Sequence, residues 1–192
     1  MGSGSSTQQI GALMALSNLG QIDFALALLN AQWKSAAIPV DSAVWLLDRG
    51  LQSEEPDTQL RASDILRQYA EELALPDGRF AWPRGAREEG VKQLETGAKG
   101  RCLEAILRCL VSRKHSEWNE EYVNEAVVIL MAFMVDGEMG CGAGIAIQKL
   151  LPLTGLREEH WPGLESTLKE VVGDGTDSSA SGGNMPWVLA GR

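Results

Sequence analysis

The stretch RCLEAILRCLVSR, residues 101–113, decides the fold class of this chain. Its apolar residues recur at the spacing of one helix face, and they are Leu103, Ile106, Leu107 and Leu110. Glu104 and Arg108 stand four residues apart on the opposite face, a spacing that favours an ion pair along a helix. The stretch therefore predicts an amphipathic α-helix that buries its leucine-rich face.

The same periodicity continues on both sides of this helix. On the N-terminal side it predicts helices over residues 22–35, 40–52 and 58–75, each followed by a proline. On the C-terminal side, residues 118–135 are amphipathic at first and then apolar all round, which is typical of a centrally buried helix. A short helix over residues 161–172 is predicted to end the periodic part of the chain.

The composition also favours helices. The 192 residues are 44% hydrophobic, and β-branched and aromatic residues are sparse beside Ala, Leu, Glu and Gln. We therefore expect an all-α protein, either a compact multi-helix bundle or a short helical-hairpin array of about seven to eight helices, with an irregular C-terminal tail. The expected organisation is a flexible leader over residues 1–6, a single α-helical domain over 7–172, and a linker with a tail motif over 173–192.

The predicted helix starts near residues 8, 23, 41 and 58 repeat with a pair-to-pair period of about 33 to 35 residues, the span of helical-hairpin repeats. Residues 19–51 resemble a pentatricopeptide repeat in their Gly-x-Ile-Asp-x-Ala-Leu opening and their Ile-Pro-x-Asp-Ser connection, and are similar to the broader tetratricopeptide pattern. Residues 52–85 keep the spacing without this signature. The resemblance implies stacked helical hairpins with a concave face, which binds RNA in the first family and proteins in the second.

Residues 135–144, VDGEMGCGAG, form a glycine-rich segment. The segment resembles the first motif of the Rossmann-like methyltransferases, which implies a cradle for S-adenosylmethionine at Gly140, Gly142 and Gly144. It departs from that family because three residues separate Asp136 from the glycines where one is usual, no repeated strand–helix pattern surrounds it, and 48 residues follow Gly144. We therefore favour a turn between two buried helices, where small residues let backbones approach closely.

The net charge of −9 is unevenly distributed. Residues 79–114 carry nine basic and four acidic residues, whereas residues 1–78 and 115–192 are both acidic. Two explanations remain open for this basic middle segment: it packs among acidic neighbours of the same chain, or it binds an external anionic partner such as RNA.

A short run at the start of the basic segment interleaves cations with aromatic rings; its members are Arg79, Phe80, Trp82, Arg84 and Arg87. Proteins that bind single-stranded nucleic acid combine phosphate contacts with base stacking in this way. The alternative is that residues 79–90 form an ordered loop leading into a short helix, with both rings in the core and the arginines solvated or paired with acidic helices. The run is thus a candidate nucleic-acid site with an ordinary structural alternative.

No grouping of reactive residues predicts catalysis or metal binding. The cysteines Cys102, Cys109 and Cys141 form no CxxC pair, and neither His115 nor His160 has a second ligand at metal-binding spacing. We expect no catalytic residues, no metal and no cofactor, and a cytoplasmic or other reducing intracellular compartment. No apolar run reaches the ~18 residues that a membrane-spanning helix needs.

The first six residues, MGSGSS, match the N-myristoylation pattern, in which Gly2 would carry the lipid. A flexible natural leader and an added cloning sequence explain the same residues. Residues 1–33 contain no Lys or Arg, so a lipid on Gly2 would tether the chain only weakly to a membrane.

The C-terminal tail carries a compact apolar motif after a polar linker over residues 173–184. The motif consists of Met185, Trp187, Val188 and Leu189. A linker that ends in a large apolar anchor favours docking, in cis or in trans, and we expect Trp187 to bind a groove of a partner subunit.

Three functions follow from these patterns, in order of preference. The first is a non-enzymatic helical interaction or assembly subunit of a larger complex, including a homo-oligomer. The second is an RNA-associated helical-repeat protein that uses the basic segment 79–114. The third is a small-molecule-binding enzyme that uses the glycine-rich segment 136–144.

Overall fold

The computed structural model describes residues 6–33, 38–75, 80–112, 120–135 and 139–150. The helices in these residues are α1 (Ser6–Asn18), α2 (Ile22–Gln32), α3 (Val40–Leu51), α4 (Pro56–Gln68), α5 (Glu88–Gln93), α6 (Thr96–Ser112), α7 (Glu120–Met134) and α8 (Gly140–Leu150). Short 3₁₀ helices span Ala70–Leu73 and Arg84–Ala86. The described residues contain no strand beyond a single bridge between Ala74 and Phe80. The predicted all-α class is confirmed.

The first four helices pack in chain order. Helix α1 lies against α2 and α3, and α2 lies against α3 and α4. Helix α4 joins this part to the rest of the molecule, because its largest interface is with α6. Helix α7 packs against α5, α6 and, most extensively, α8. One continuous apolar core therefore runs from α1 to α8. The resemblance to hairpin repeats stays a prediction.

The turn between α1 and α2 is a Schellman motif, built around Gly20. The Gly20 amide donates to the carbonyl of Ser17 at 3.1 Å, and the Gln21 amide donates to the carbonyl of Leu16 at 2.9 Å. Gly20 has a φ of +77°, a left-handed conformation that glycine adopts without the steric cost a Cβ would add. This turn fixes α1 and α2 as a helical hairpin.

A second glycine sets the distance between α3 and its neighbours. A Cβ at Gly50 would lie 2.7 Å from the Cβ of Ala62 on α4 and 3.0 Å from Leu26 Cδ1 on α2. The backbone of α3 therefore touches both helices directly.

A buried glutamine, Gln59 on α4, ties three segments of backbone together. Its Nε2 donates to the carbonyl of Ser53 at 2.8 Å and, more weakly, to the carbonyl of Gln93 at 3.4 Å, while its Oε1 accepts from the Glu95 amide at 2.9 Å. The side chain thus holds the α3–α4 loop, the end of α5 and the start of α6 around one point.

The prediction of a single helix over 58–75 is wrong in its second half. Helix α4 begins at Pro56 and ends at Gln68, and the chain continues as the 3₁₀ helix Ala70–Leu73. Tyr69 stacks on Trp33 with 4.5 Å between ring centroids, and its hydroxyl donates to the carbonyl of Asn30 at 3.1 Å. The α-helical backbone ends at Tyr69 (φ −107°, ψ 20°), the residue whose side chain makes these contacts with the end of α2.

The predicted Glu104–Arg108 ion pair is also wrong, although helix α6 forms as expected. Glu104 pairs instead with Arg67 of α4 at 3.2 Å, and Arg108 donates to the Arg67 backbone carbonyl at 2.9 Å. Because α4 crosses α6 at this point, Arg67 lies between the two residues. Glu104 therefore pairs with a residue of a neighbouring helix and not with Arg108 of its own helix.

Candidate interaction surfaces

The aromatic rings of the candidate nucleic-acid run lie in the core. Phe80 and Trp82 are both buried, and Phe80 packs against Trp82 and Tyr122 at centroid distances of 5.5 and 5.1 Å. The Trp82 indole donates to the carbonyl of Ala86 at 2.9 Å, which closes the 3₁₀ turn beneath it. In this conformation neither ring presents a face on which a base could stack.

The arginines of the same run have different surroundings. Arg84 is exposed, whereas Arg87 pairs with Glu125 of α7 at 2.7 Å and both side chains are about two-thirds buried (34% and 31% exposed). Arg79 lies outside the described residues. The run therefore anchors a loop to α7, and of its described members only Arg84 is a solvent-facing cation.

The glycine-rich segment does not form a loop from Gly140 onward. Helix α8 begins at Gly140, so Gly140, Gly142 and Gly144 occupy its first turn and a half. Gly140 and Gly144 are buried, and a Cβ at Gly142 would lie 3.9 Å from Leu103 on α6. The expectation of a turn through these glycines is therefore wrong, and the 3.9 Å at Gly142 is an ordinary van der Waals distance to a side chain. Residues 136–138 lie outside the described residues.

An open groove of about 640 Å³ lies over α4. Asn30 of α2 and Arg108 of α6 border it, and charged residues of α4 line it. Most of these charges are compensated within the chain. Arg61 pairs with Asp23 at 3.2 Å, and Asp64 pairs with both Arg67 at 3.1 Å and Arg101 of α6 at 2.8 Å.

Ion pairs of this kind support one of the two explanations for the basic segment 79–114. Arg87, Arg101 and Glu104 all form ion pairs with residues of other helices. At these positions the segment packs among acidic and basic neighbours of its own chain, as the first explanation requires.

The cysteines of the described residues differ in their environments. Cys102 and Cys109 are buried, and Cys141 is exposed. Burial raises the pKa of the Cys102 thiol well above its ordinary value, against a smaller opposing effect of Arg101. Cys109 donates to the carbonyl of Ala70 at 2.7 Å. The Cys102 thiol is therefore protonated and packed, which is an unreactive state.

The described residues contain no group of three or more His, Cys, Asp or Glu side chains placed to hold a metal ion. Within the same part of the chain, no helix combines the length and apolar character needed to cross a membrane.

The exposed side of the α1–α2 hairpin is poor in charge and carries large apolar residues. Met14, Leu19 and Phe24 are 44%, 75% and 67% exposed, although all three are large apolar residues. The hairpin also exposes the alanines Ala12, Ala15, Ala27 and Ala31, together with polar residues such as Gln8 and Asn18. We call the three large apolar residues and the four alanines the hairpin face. Helix α1 carries no charged residue, and α2 carries one, Asp23, which pairs with Arg61.

Contacts with α4 and the following 3₁₀ helix fix the orientation of the hairpin face. The Thr58 hydroxyl donates to Asp23 at 3.1 Å near the start of α2, and the Trp33 indole donates to Glu72 just beyond its end. Phe24 and Ala31 follow Asp23 and Asn30 by one residue, so they lie about 100° further round α2. Because Asp23 and Asn30 face α4, Phe24 and Ala31 project to the side of it and not onto it.

Sequence reasoning did not single out the hairpin face. The signal was present, since residues 1–33 lack Lys and Arg and contain apolar residues outside the buried stripe. The stripe at Ile22, Leu26, Leu29 and Trp33 accounts for the buried side of α2 but leaves Phe24 unexplained. The other candidate residues, Gly2 at the N-terminus and Met185, Trp187, Val188 and Leu189 in the tail, lie outside the described residues.

Comparisons of the chain with protein-family models, curated proteins and solved structures return no match.

Proposed function

We propose that this protein is a helical assembly subunit that binds another protein through the hairpin face. The observation that carries the proposal is the exposure of Met14, Leu19 and Phe24 on a surface without charge. At roughly 200 Å² for a side chain of this size, the three expose on the order of 350 Å² of apolar area. The largest apolar patch on a soluble monomer measures about 300–600 Å² and is often functional.

The size of the face fits a protein partner. A standard protein interface buries about 800 Å² on each partner, of which a little over half is apolar, or about 450 Å². The three large side chains and the four exposed alanines together approach that apolar area. Phe24, as the largest of them and a ring with few rotatable bonds, is the residue expected to dominate the binding energy.

The contacts that fix the orientation of α2 also favour binding at the hairpin face. The bonds of α2 to Thr58, Arg61 and Tyr69 hold the helix in one orientation before any partner arrives. A preorganised surface loses less conformational entropy on association, so more of the burial energy contributes to affinity. The hairpin face is thus a rigid docking surface, and the tail motif at Trp187 offers a second, separate anchor.

The proposal is tested by photo-crosslinking from position 24 in cells that express the protein naturally. Phe24 is replaced by a benzophenone amino acid, and the matched control carries the same group at Gln148, an exposed residue of α8. We expect a discrete protein adduct from position 24 that disappears when Leu19→Glu is added, and no such adduct from position 148. Equal labelling from both positions, or none from position 24, would contradict the proposal.

A further inference from the structure

We infer that the partner of the hairpin face is a second copy of this chain, which pairs two α1–α2 hairpins about a twofold axis near Phe24. This inference rests on the proposed function, because it names the protein that the face binds. The proposal concerns Met14, Leu19, Phe24 and the exposed alanines between them.

The charge of the chain favours this surface for self-association. Two copies of a chain with a net charge of −9 repel one another, and the repulsion is strongest where acidic surfaces meet. A twofold interface places each patch against its own copy, so a charge near the axis faces the same charge. The hairpin face carries none, and the nearby Asp23 is neutralised by Arg61. Copies can therefore meet here without bringing like charges together.

The position of the face in the fold supports the same partner. The α1–α2 hairpin is the first of the described helical hairpins, and the next one, α3–α4, packs against one side of it. The side of α2 that bears Phe24, Ala27 and Ala31 is exposed in the single chain. A second copy of the hairpin offers an apolar side of the same kind to cover it.

The alanines make close packing of two hairpins possible. Ala27 and Ala31 stand four residues apart on the exposed side of α2, and Ala15 is exposed on α1. Side chains this small allow helix axes to approach to about 8 Å, the lower limit for packed helices. Phe24 and Leu19 lie near the turn and can fill the space beside them. The resulting unit is a four-helix arrangement with two helices from each copy.

The inference is tested on the purified full chain by sedimentation velocity over a range of micromolar concentrations. We expect a species of twice the 20.7 kDa chain mass. Phe24→Glu is expected to raise the dimer dissociation constant at least about 100-fold, as loss of a central aromatic anchor does. Gln148→Glu adds the same charge on α8 and is expected to leave the mass unchanged. Circular dichroism checks that each variant folds.

A mixing experiment tests the symmetry. Phe24→Lys is expected to be monomeric like Phe24→Glu, because lysines at the axis would repel. An equimolar mixture of the two is expected to associate more tightly than either variant alone, since Lys and Glu then face each other. A mixture that associates no more tightly than the separate variants would overturn the twofold arrangement.

Other occupants of the face give different results. A wild-type chain that stays monomeric at the highest concentration would overturn the inference, as would a dimer unaffected by Phe24→Glu. In a monomer, a crosslink from position 24 to residues 185–189 of the same chain would assign the face to the tail. An adduct with a different protein in cells, beside a monomeric purified chain, would refute self-pairing and leave the proposed function standing.

Discussion

Replacing Gln59 by leucine is expected to lower the free energy of unfolding by about 2 kcal/mol, because the side chain bonds three segments of backbone. The substitution nearly preserves volume, so little of the loss comes from a cavity. It removes the 2.8 Å bond to Ser53 and the 2.9 Å bond to the Glu95 amide, each worth about 1 kcal/mol net. The weaker 3.4 Å contact with Gln93 adds little.

The partial exposure of Ser53 and Glu95 limits the loss of unfolding free energy in Gln59→Leu. Ser53 is half-buried and Glu95 is exposed, so water reaches both backbone groups in part after the side chain is lost. Full burial would add the desolvation cost of an unpaired group, about 1–3 kcal/mol each. The expected loss therefore stays near the sum of the two bonds.

Urea unfolding followed by far-ultraviolet circular dichroism measures the change, with Gln68→Leu as the control. Gln68 is exposed on the same helix and makes one long bond to the Tyr69 hydroxyl, so its replacement is expected to cost less than about 0.5 kcal/mol. Amide hydrogen exchange should also accelerate at Glu95 in Gln59→Leu alone. If the two variants lost equal stability, the hydrogen bonds of Gln59 would not make the contribution to stability that is argued from their geometry.

Further expectations concern two glycines and two thiols. Gly90→Ala should destabilise the fold by about 1–3 kcal/mol in the same assay, because a Cβ there would lie 2.5 Å from the Gly85 carbonyl oxygen. Gly20→Ala should cost about 1–2 kcal/mol from left-handed strain alone, and Gly20→Asn should cost less. A native-state thiol reagent should label Cys141 and spare Cys102, whereas denaturation should expose both. Because burial raises the pKa of Cys102, the unfolded chain loses this proton from about pH 9.0 while the native chain keeps it, so stability should fall above that pH. Cys102→Ala should flatten that fall, and an unchanged slope would show that other groups cause it.

The sequence predicted the fold class because the apolar stripe of each long helix is read from local spacing alone. The stripe of α6 is an example, since its leucines are buried as expected. What the spacing could not predict depends on crossings between helices. Tyr69, at the end of α4, stacks on Trp33, and Glu104 pairs with Arg67, and in both cases the partner is more than 30 residues away.

The candidate surfaces also combine features that local spacing predicts with features that depend on packing between helices. The burial of Phe80 and Trp82 was one of two alternatives that the sequence left open, and only the packing of α7 against this loop decides between them. The hairpin face was missed because α1 has apolar residues on several sides, so its sequence does not distinguish the buried side from the exposed one. That distinction requires the position of α3.

The direct backbone contact at Gly50 links the evolution of three positions. A larger residue at 50 fits only if the atoms facing it retreat, and those atoms belong to Ala62 and Leu26. Glycine at position 62 would remove the nearer atom, the Ala62 Cβ at 2.7 Å, and valine at 26 would remove the Leu26 Cδ1 at 3.0 Å. Homologous sequences that have alanine at 50 are therefore expected to differ from this chain at 62, with a smaller residue at 26 as well, and the three columns of an alignment should covary.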